Sequence, residues 1–423
     1  MHAPFLLPFL ALSVLSLLAT TAPAATSRTF NLADPTTTAP YTAERGHGFD
    51  FNTSPAAAPS TEPSHPFYFS IAVPEGNHRV TLEFGDARAA SDTTVKAESR
   101  QLFLERVTTR PGEFVTRTFI VNVRTPHLPP PEANAPGGSA VLLNDREHGI
   151  LRWDDKLTLE FTGPAPHVRA ISIEPAPADT PTVFLAGDST VTDQPAEPAA
   201  SWGQMLPRFF KPGIAIANHA ESGETLKSFL TGLRLAKILS QIRAGDYLFI
   251  QFGHNDQKQN WPQTYAEART TYAAYLRTYI AEARLRGATP VLVTSPQRRT
   301  FDAHGRIKNT HGDYPAVVRE LARTEHVALI DLERASVAFY EALGPDRAPL
   351  AFNNGGQDAT HHNNYGAYEL AKAVVQSLRD ARLPLANFIA DDFTAFDPAQ
   401  PDAPETFALP ASNSRHAAPL RGN

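Results

Sequence analysis

Four short groups of residues in this chain carry the side chains that acyl transfer needs. Gly187-Asp188-Ser189-Thr190 offers a hydroxyl just after a glycine, and Glu221-Ser222-Gly223-Glu224 offers a backbone unencumbered by a side chain. Gly253-His254-Asn255-Asp256 offers a neutral amide, and Asp358-Ala359-Thr360-His361 sets a carboxylate three residues from an imidazole. Hydrolysing an ester takes a nucleophile, a base for its proton, an orienter for that base, and donors for the oxyanion. Ser189 fits the first role, His361 the second and Asp358 the third, because a spacing of three lets Asp and His lie side by side on one turn. The donors are the backbone N–H groups of Ser189 and Gly223 and the side-chain amide of Asn255. Each group alone is weak, since Asp and Asn also cap helices and shape turns. Their order and conjunction carry the reading. His362, one residue on, points elsewhere.

These residues need elements to hold them. Residues 182–186 form an apolar run of β-formers that delivers Ser189 to a strand's carboxyl end, the edge where open α/β sheets bind ligands. Further buried strands are expected at 214–218, 247–252, 290–295 and 327–331. Helical patterns cover 265–286, 314–324, 332–343 and 365–378. Strands alternating with helices predict an α/β fold with a parallel, doubly wound sheet. The chain before it reads differently. Runs rich in Val, Ile, Thr and Phe at 67–73, 78–84, 93–97, 114–123, 157–161 and 168–173, separated by turn residues, predict an all-β sandwich. Residues 129–138 read as a loop, and alternating prolines at 174–179 read as a linker. The expected organisation is a leader (1–24), a sandwich (25–179), a hydrolase domain (180–390) and a tail (391–423).

The 423 residues are 42% hydrophobic and 19% charged, which argues for globular domains and against disorder. A formal net charge of -6 supplies no basic field for nucleic acid or an anionic membrane. The apolar stretch 5–19, followed by Ala22-Pro23-Ala24, reads as a signal peptide, so a secreted or periplasmic protein is expected. There is no cysteine, so stability rests on packing rather than disulfides. Of 15 histidines no pair has a zinc-site spacing, and no phosphate-binding glycine motif occurs. Neither metal nor cofactor is expected.

Gly-Asp-Ser, a later Gly, Gly-x-Asn-Asp and Asp-x-x-His, in that order, resemble the SGNH (GDSL) hydrolase superfamily, most nearly its rhamnogalacturonan acetylesterase group. The resemblance covers residues 181–380. It implies a flavodoxin-like sheet and Ser189, His361 and Asp358 as the triad. Ser189, Gly223 and Asn255 are then the oxyanion donors, and acetyl groups are removed from pectic polysaccharide. The β-rich first half is similar in outline to galactose-binding-like sandwiches appended to some bacterial relatives. On this reading the partner is acetylated plant cell-wall polysaccharide or its oligosaccharides, with no nucleic acid and no membrane once the leader is removed. Arg298 and Arg299 are candidates to meet galacturonate carboxylates, Trp202 and Trp261 to line the cleft, and Trp153 to serve as a sugar platform. Two other readings stand beside it. One is an SGNH esterase, lipase or acetylxylan esterase acting on another acyl substrate; the other is a glycan-binding protein without catalysis.

Overall fold

A computed structural model describes residues 27–34, 36–55 and 66–412. The expected signal peptide and the last part of the tail lie outside the described residues. Among the described residues no helix is long and apolar enough to cross a membrane.

The first half is β throughout. Its strands are β1 (Arg28–Asn31), β2 (His47–Asp50), β3 (Phe67–Ala72), β4 (Gly76–Phe84), β5 (Ser91–Ala97), β6 (Gln101–Thr109), β7 (Val115–Val123), β8 (Lys156–Ala165) and β9 (Val168–Pro175). They form two antiparallel sheets, ordered β1-β9-β4-β7 and β2-β3-β8-β5-β6. Alternation along each strand gives each sheet an apolar face. Val80, Leu82 and Phe84 of β4 meet Phe67, Phe69 and Ile71 of β3 in one core. This is the expected sandwich, with three strands the sequence pattern did not reveal: β1, β2 and β6.

The second half contains β10 (Thr182–Gly187), β11 (Ala199–Ala200), α1 (Trp202–Met205), β12 (Ala215–Asn218), α2 (Leu226–Thr231), α3 (Arg234–Leu239) and β13 (Tyr247–Gln251). It continues with α4 (Ala273–Leu285), β14 (Thr289–Val293), α5 (Tyr314–Thr324), β15 (Ala328–Ile330), α6 (Leu332–Arg347), β16 (His362–Asn363) and α7 (Asn364–Asp380). The order β12-β10-β13-β14-β15, parallel throughout, is a doubly wound sheet that reverses direction at β10. Successive side chains of a strand point to opposite faces, and both faces here are covered. Val183 and Leu185 therefore enter one core with Val291 and α7, while Phe184 and Ala186 enter the other with Leu292 and α4. That double burial is why the strands read as continuous apolar runs.

The two halves share buried polar contacts. The β5–β6 turn reaches the second half through Arg100, which donates to the carbonyls of Gln194 and Ala199 and pairs with Glu197 at 2.7 Å. Strand β7, at one edge of the sandwich, lies beside β12, at one edge of the parallel sheet. The described part of the tail spans both halves. Lys372 holds Asp402 at 2.7 Å, and Lys96 donates to the Pro410 carbonyl at 2.7 Å.

Candidate active site

The parallel sheet delivers Ser189 two residues beyond β10, on a single tight turn in which the N–H groups of Val191 and Thr192 both donate to the Asp188 carbonyl. Gly187 is required there for space rather than for an unusual backbone angle. A Cβ at Gly187 would come within 2.6 Å of Val191 Cγ2 and 3.0 Å of the Gln251 carbonyl. Asp188 is fully buried and accepts from the N–H and the hydroxyl of Thr190, both at 2.9 Å. Burial lifts its carboxyl above the usual range despite those bonds. Gln194 ties the turn down from below, donating to the Ser189 carbonyl at 2.7 Å.

His361 comes from the loop before α7, 172 residues away in sequence. Its Nε2 lies 2.9 Å from Ser189 Oγ and its Nδ1 lies 2.8 Å from Asp358 Oδ2. Asp358 Oδ1 accepts from the backbone N–H groups of Thr360 (2.7 Å) and His361 (3.0 Å). Burial opposes ionisation of Asp358, but the bond and charge of His361 and those two N–H groups hold its carboxyl down to about 2. With Asp358 a fixed anion, Nδ1 of His361 carries the proton and Nε2 is left to accept one from Ser189. His362 points away: its Nε2 meets the Tyr340 hydroxyl at 2.6 Å in an apolar pocket with Phe352.

Each of the three expected donors follows the carboxyl end of a strand of the parallel sheet: Ser189 after β10, Gly223 after its neighbour β12 and Asn255 after its other neighbour β13. Gly223 takes φ +84°, a left-handed conformation natural to glycine. Among the described residues the backbone N–H groups of Ser189 and Gly223 donate to no protein acceptor. Asn255 follows β13, is buried, and spends one N–H on the Glu224 carbonyl at 3.0 Å, leaving the second. That bond also links the Asn255 loop to the Gly223 loop. A serine whose hydroxyl meets an Asp-held imidazole can form and cleave an acyl ester.

Two expected sugar-facing aromatics are corrected, and the two expected arginines hold protein carbonyls. Trp202 is 1% exposed and donates its Nε1–H to Gln251 at 2.8 Å; Gln251 in turn donates to Thr190 at 2.7 Å. It buttresses the nucleophile turn and presents no face to a sugar. Trp153 is buried against the Arg124 guanidinium (4.9 Å) and donates to Glu147 at 3.0 Å, so it is no platform either. Arg299 donates to the Gly356 carbonyl at 2.5 Å and covers Phe352, bracing the Asp358 loop. Arg298 donates to the His254 carbonyl at 3.2 Å and lies along Thr310 and His311. Of the three tryptophans, Trp261 is the half-buried one, with the Lys258 ammonium 4.0 Å from its ring centroid, beside the Asn255 loop. Lys258 was not signalled by any motif. It makes no ion pair among the described residues, and both burial and the neighbouring Arg298 lower its pKa.

A model of the GDSL-like lipase/acylhydrolase family matches residues 185–368, the span that holds every member of this constellation. Rhamnogalacturonan acetylesterase RhgT of Bacillus subtilis is 41% identical over 220 residues, which are 49% of this chain and 93% of that protein. Probable rhamnogalacturonan acetylesterase YesY of the same organism is 39% identical over 210 residues, covering 49% of this chain and 96% of that protein. The uncharacterized esterase YxiM, also from Bacillus subtilis, is 28% identical over 316 residues, 74% of each chain. A match of that length reaches beyond the α/β half into the β-rich half.

Proposed function

The chain belongs to the GDSL-like lipase/acylhydrolase family, the SGNH hydrolases, and from that premise we propose that it removes acetyl groups from acetylated pectic polysaccharide outside the cytoplasm. The coarser statement, that it is a carboxylic ester hydrolase of the carbohydrate acetylesterase kind, follows from the named relatives. One observation carries the mechanism: the unbroken chain Asp358 Oδ2, His361 Nδ1, His361 Nε2, Ser189 Oγ at 2.8 and 2.9 Å.

Ser189 Oγ bonds to the acetyl carbon while its proton passes to His361 Nε2. The carbonyl oxygen becomes an oxyanion and accepts from the N–H groups of Ser189, Gly223 and Asn255. The bond from the acetyl carbon to the sugar oxygen then breaks, and His361 returns the proton to that oxygen. Water, deprotonated by the same Nε2, attacks the acetyl-serine; the bond from the acetyl carbon to Ser189 Oγ breaks, His361 returns the proton to Oγ, and acetate leaves. Two observations support a pectic substrate. The relatives named rhamnogalacturonan acetylesterases share the α/β half, and Lys258 beside Trp261 offers a cation and an apolar ring face to an acidic sugar. The leader-like stretch 5–24 supports export.

The test is acetate release from acetylated rhamnogalacturonan, acetylated homogalacturonan and acetylated xylan, with Ser189→Ala alongside. Fast release from a pectic polymer, abolished in the variant, is expected. Release that survives in Ser189→Ala sinks the mechanism, and release from xylan alone sinks the substrate.

A further inference from the structure

The peptide unit between Ser222 and Gly223 carries the proposed oxyanion donor on its nitrogen side. A trans peptide is planar and sends its C=O and N–H in opposite directions, so whatever holds the Ser222 carbonyl also aims the Gly223 N–H. Glycine with a left-handed φ can rotate that plane more freely than any other residue, and the plane therefore needs an anchor.

The anchor comes from the other half of the chain. Arg146, in the segment joining β7 to β8, donates through Nη2 to the Ser222 carbonyl and through Nε to Glu221 Oε1 at 2.7 Å. Its Nη2 is the nearest atom to where a Gly223 side chain would begin, at 3.8 Å. Glu221 is itself gripped a second time. Its other oxygen accepts from Arg152, which also donates to the Thr192 hydroxyl and, at 3.2 Å, to the Asp193 carbonyl. Two guanidinium groups from the β-rich half thus tie the loop bearing Ser189 to the loop bearing Gly223. A cation at the carbonyl end of the peptide also polarises it toward stronger donation at the nitrogen end.

We infer that Arg146 is a positioning residue for the oxyanion-hole peptide, and that the N-terminal β half completes the catalytic site rather than serving only as an appended glycan-binding module. This inference rests on the reaction proposed above. RhgT matches about half of this chain while accounting for 93% of its own length, so it has little room for an equivalent half, and the device belongs to the two-part architecture.

The test uses the full chain and a small aryl acetate, so that polymer binding plays no part. Arg146 is about one-third exposed and Glu221 keeps Arg152 when Arg146 is replaced, so Arg146→Met is expected to fold. Because losing one donor outright costs ~10²–10³ in turnover, misaiming it is expected to lower kcat roughly 10- to 100-fold with KM changed by no more than about twofold. Arg146→Lys, whose longer chain can still bring a cationic donor toward the Ser222 carbonyl, is expected to recover part of the loss. The dependence of kcat/KM on pH should keep its shape, since the His361–Asp358 pair is untouched. Should Arg146→Met not fold, Arg146→Gln, which is too short for the Ser222 carbonyl, and Arg146→Lys carry the comparison with the parent. A kcat within about threefold of the parent, or a loss expressed in KM alone, overturns the inference. If the parent itself shows no Ser189-dependent turnover, it is the proposed reaction that falls.

Discussion

Replacing Asp358 with Asn tests the electrostatic logic of the site with a change of one atom. The asparagine oxygen can keep the two backbone N–H groups of Thr360 and His361 that Oδ1 accepts now, at 2.7 and 3.0 Å. Its NH₂ then faces His361 Nδ1, where Oδ2 had accepted at 2.8 Å. A donor now meets a donor, so the imidazole relieves the clash by moving its proton to Nε2. In that tautomer Nε2 donates toward Ser189 Oγ and can no longer take its proton. Wrong-tautomer substitutions of this kind in serine hydrolases lower kcat by ~10⁴, about 5 kcal/mol of activation free energy. The effect on folding is smaller. Asp358 titrates at about 2 in the fold against 3.8 normally. Its ionised form therefore contributes on the order of 2 kcal/mol, present above about pH 4 and lost as the pH falls toward 2. Activity should thus collapse in a protein that still melts cooperatively at neutral pH. The assay is kcat on an aryl acetate across pH 6 to 9, with thermal melting of the same samples. A variant keeping more than about a tenth of the parental kcat would refute the tautomer argument.

Asn255→Ala removes one oxyanion donor and should cost ~10²–10³ in kcat with little change in KM, read on the same substrate; a fall in affinity alone would place Asn255 in binding instead. Trp202→Phe should leave KM unchanged but lower stability by about 1–3 kcal/mol, because Gln251 loses a buried partner; a raised KM would restore the cleft-lining role. Asp256 is buried, accepts from the Leu226 N–H at 2.9 Å, and is pushed up to about 7 by burial and the nearby Asp188. Between about pH 4 and 7 the folded state therefore holds a proton that the unfolded chain releases, and this group's contribution to stability declines as pH rises. Asp256→Asn should flatten the fall in melting temperature across that window, whereas an unchanged slope would show that Asp256 ionises normally.

Much of the fold was legible because its signals are local. Strands buried on both faces read as apolar runs, and α5 spans Tyr314–Thr324, the stretch its periodicity predicts. The missed elements lack local signals. Strand β6 follows a turn made without glycine, where Glu98 and Arg100 take positive φ (54° and 64°), so no turn residue announces it. Helices α2 and α3 are six residues each, too short for a helical period to register, and β1 and β2 are four-residue strands defined mainly by their partners.

The candidate site divides in the same way. Ser189, Asp358 and His361, which the fold brings into one hydrogen-bonded chain, and the candidates Gly223 and Asn255 could be picked out from sequence because each stands after a strand's carboxyl end or on a tight turn, where residue type and spacing constrain geometry. Trp202, Arg299 and Trp153 could not be judged, since an aromatic ring or a guanidinium looks the same in sequence whether it faces substrate or a neighbouring loop. Only the folded chain settles which. Arg146 lies 75 residues from Glu221 and belongs to the other half of the protein, with no motif around it. Its place behind the Gly223 peptide is decided by how β7 and its following segment meet β12, because a contact between distant segments is a property of packing and leaves no period or spacing in the chain.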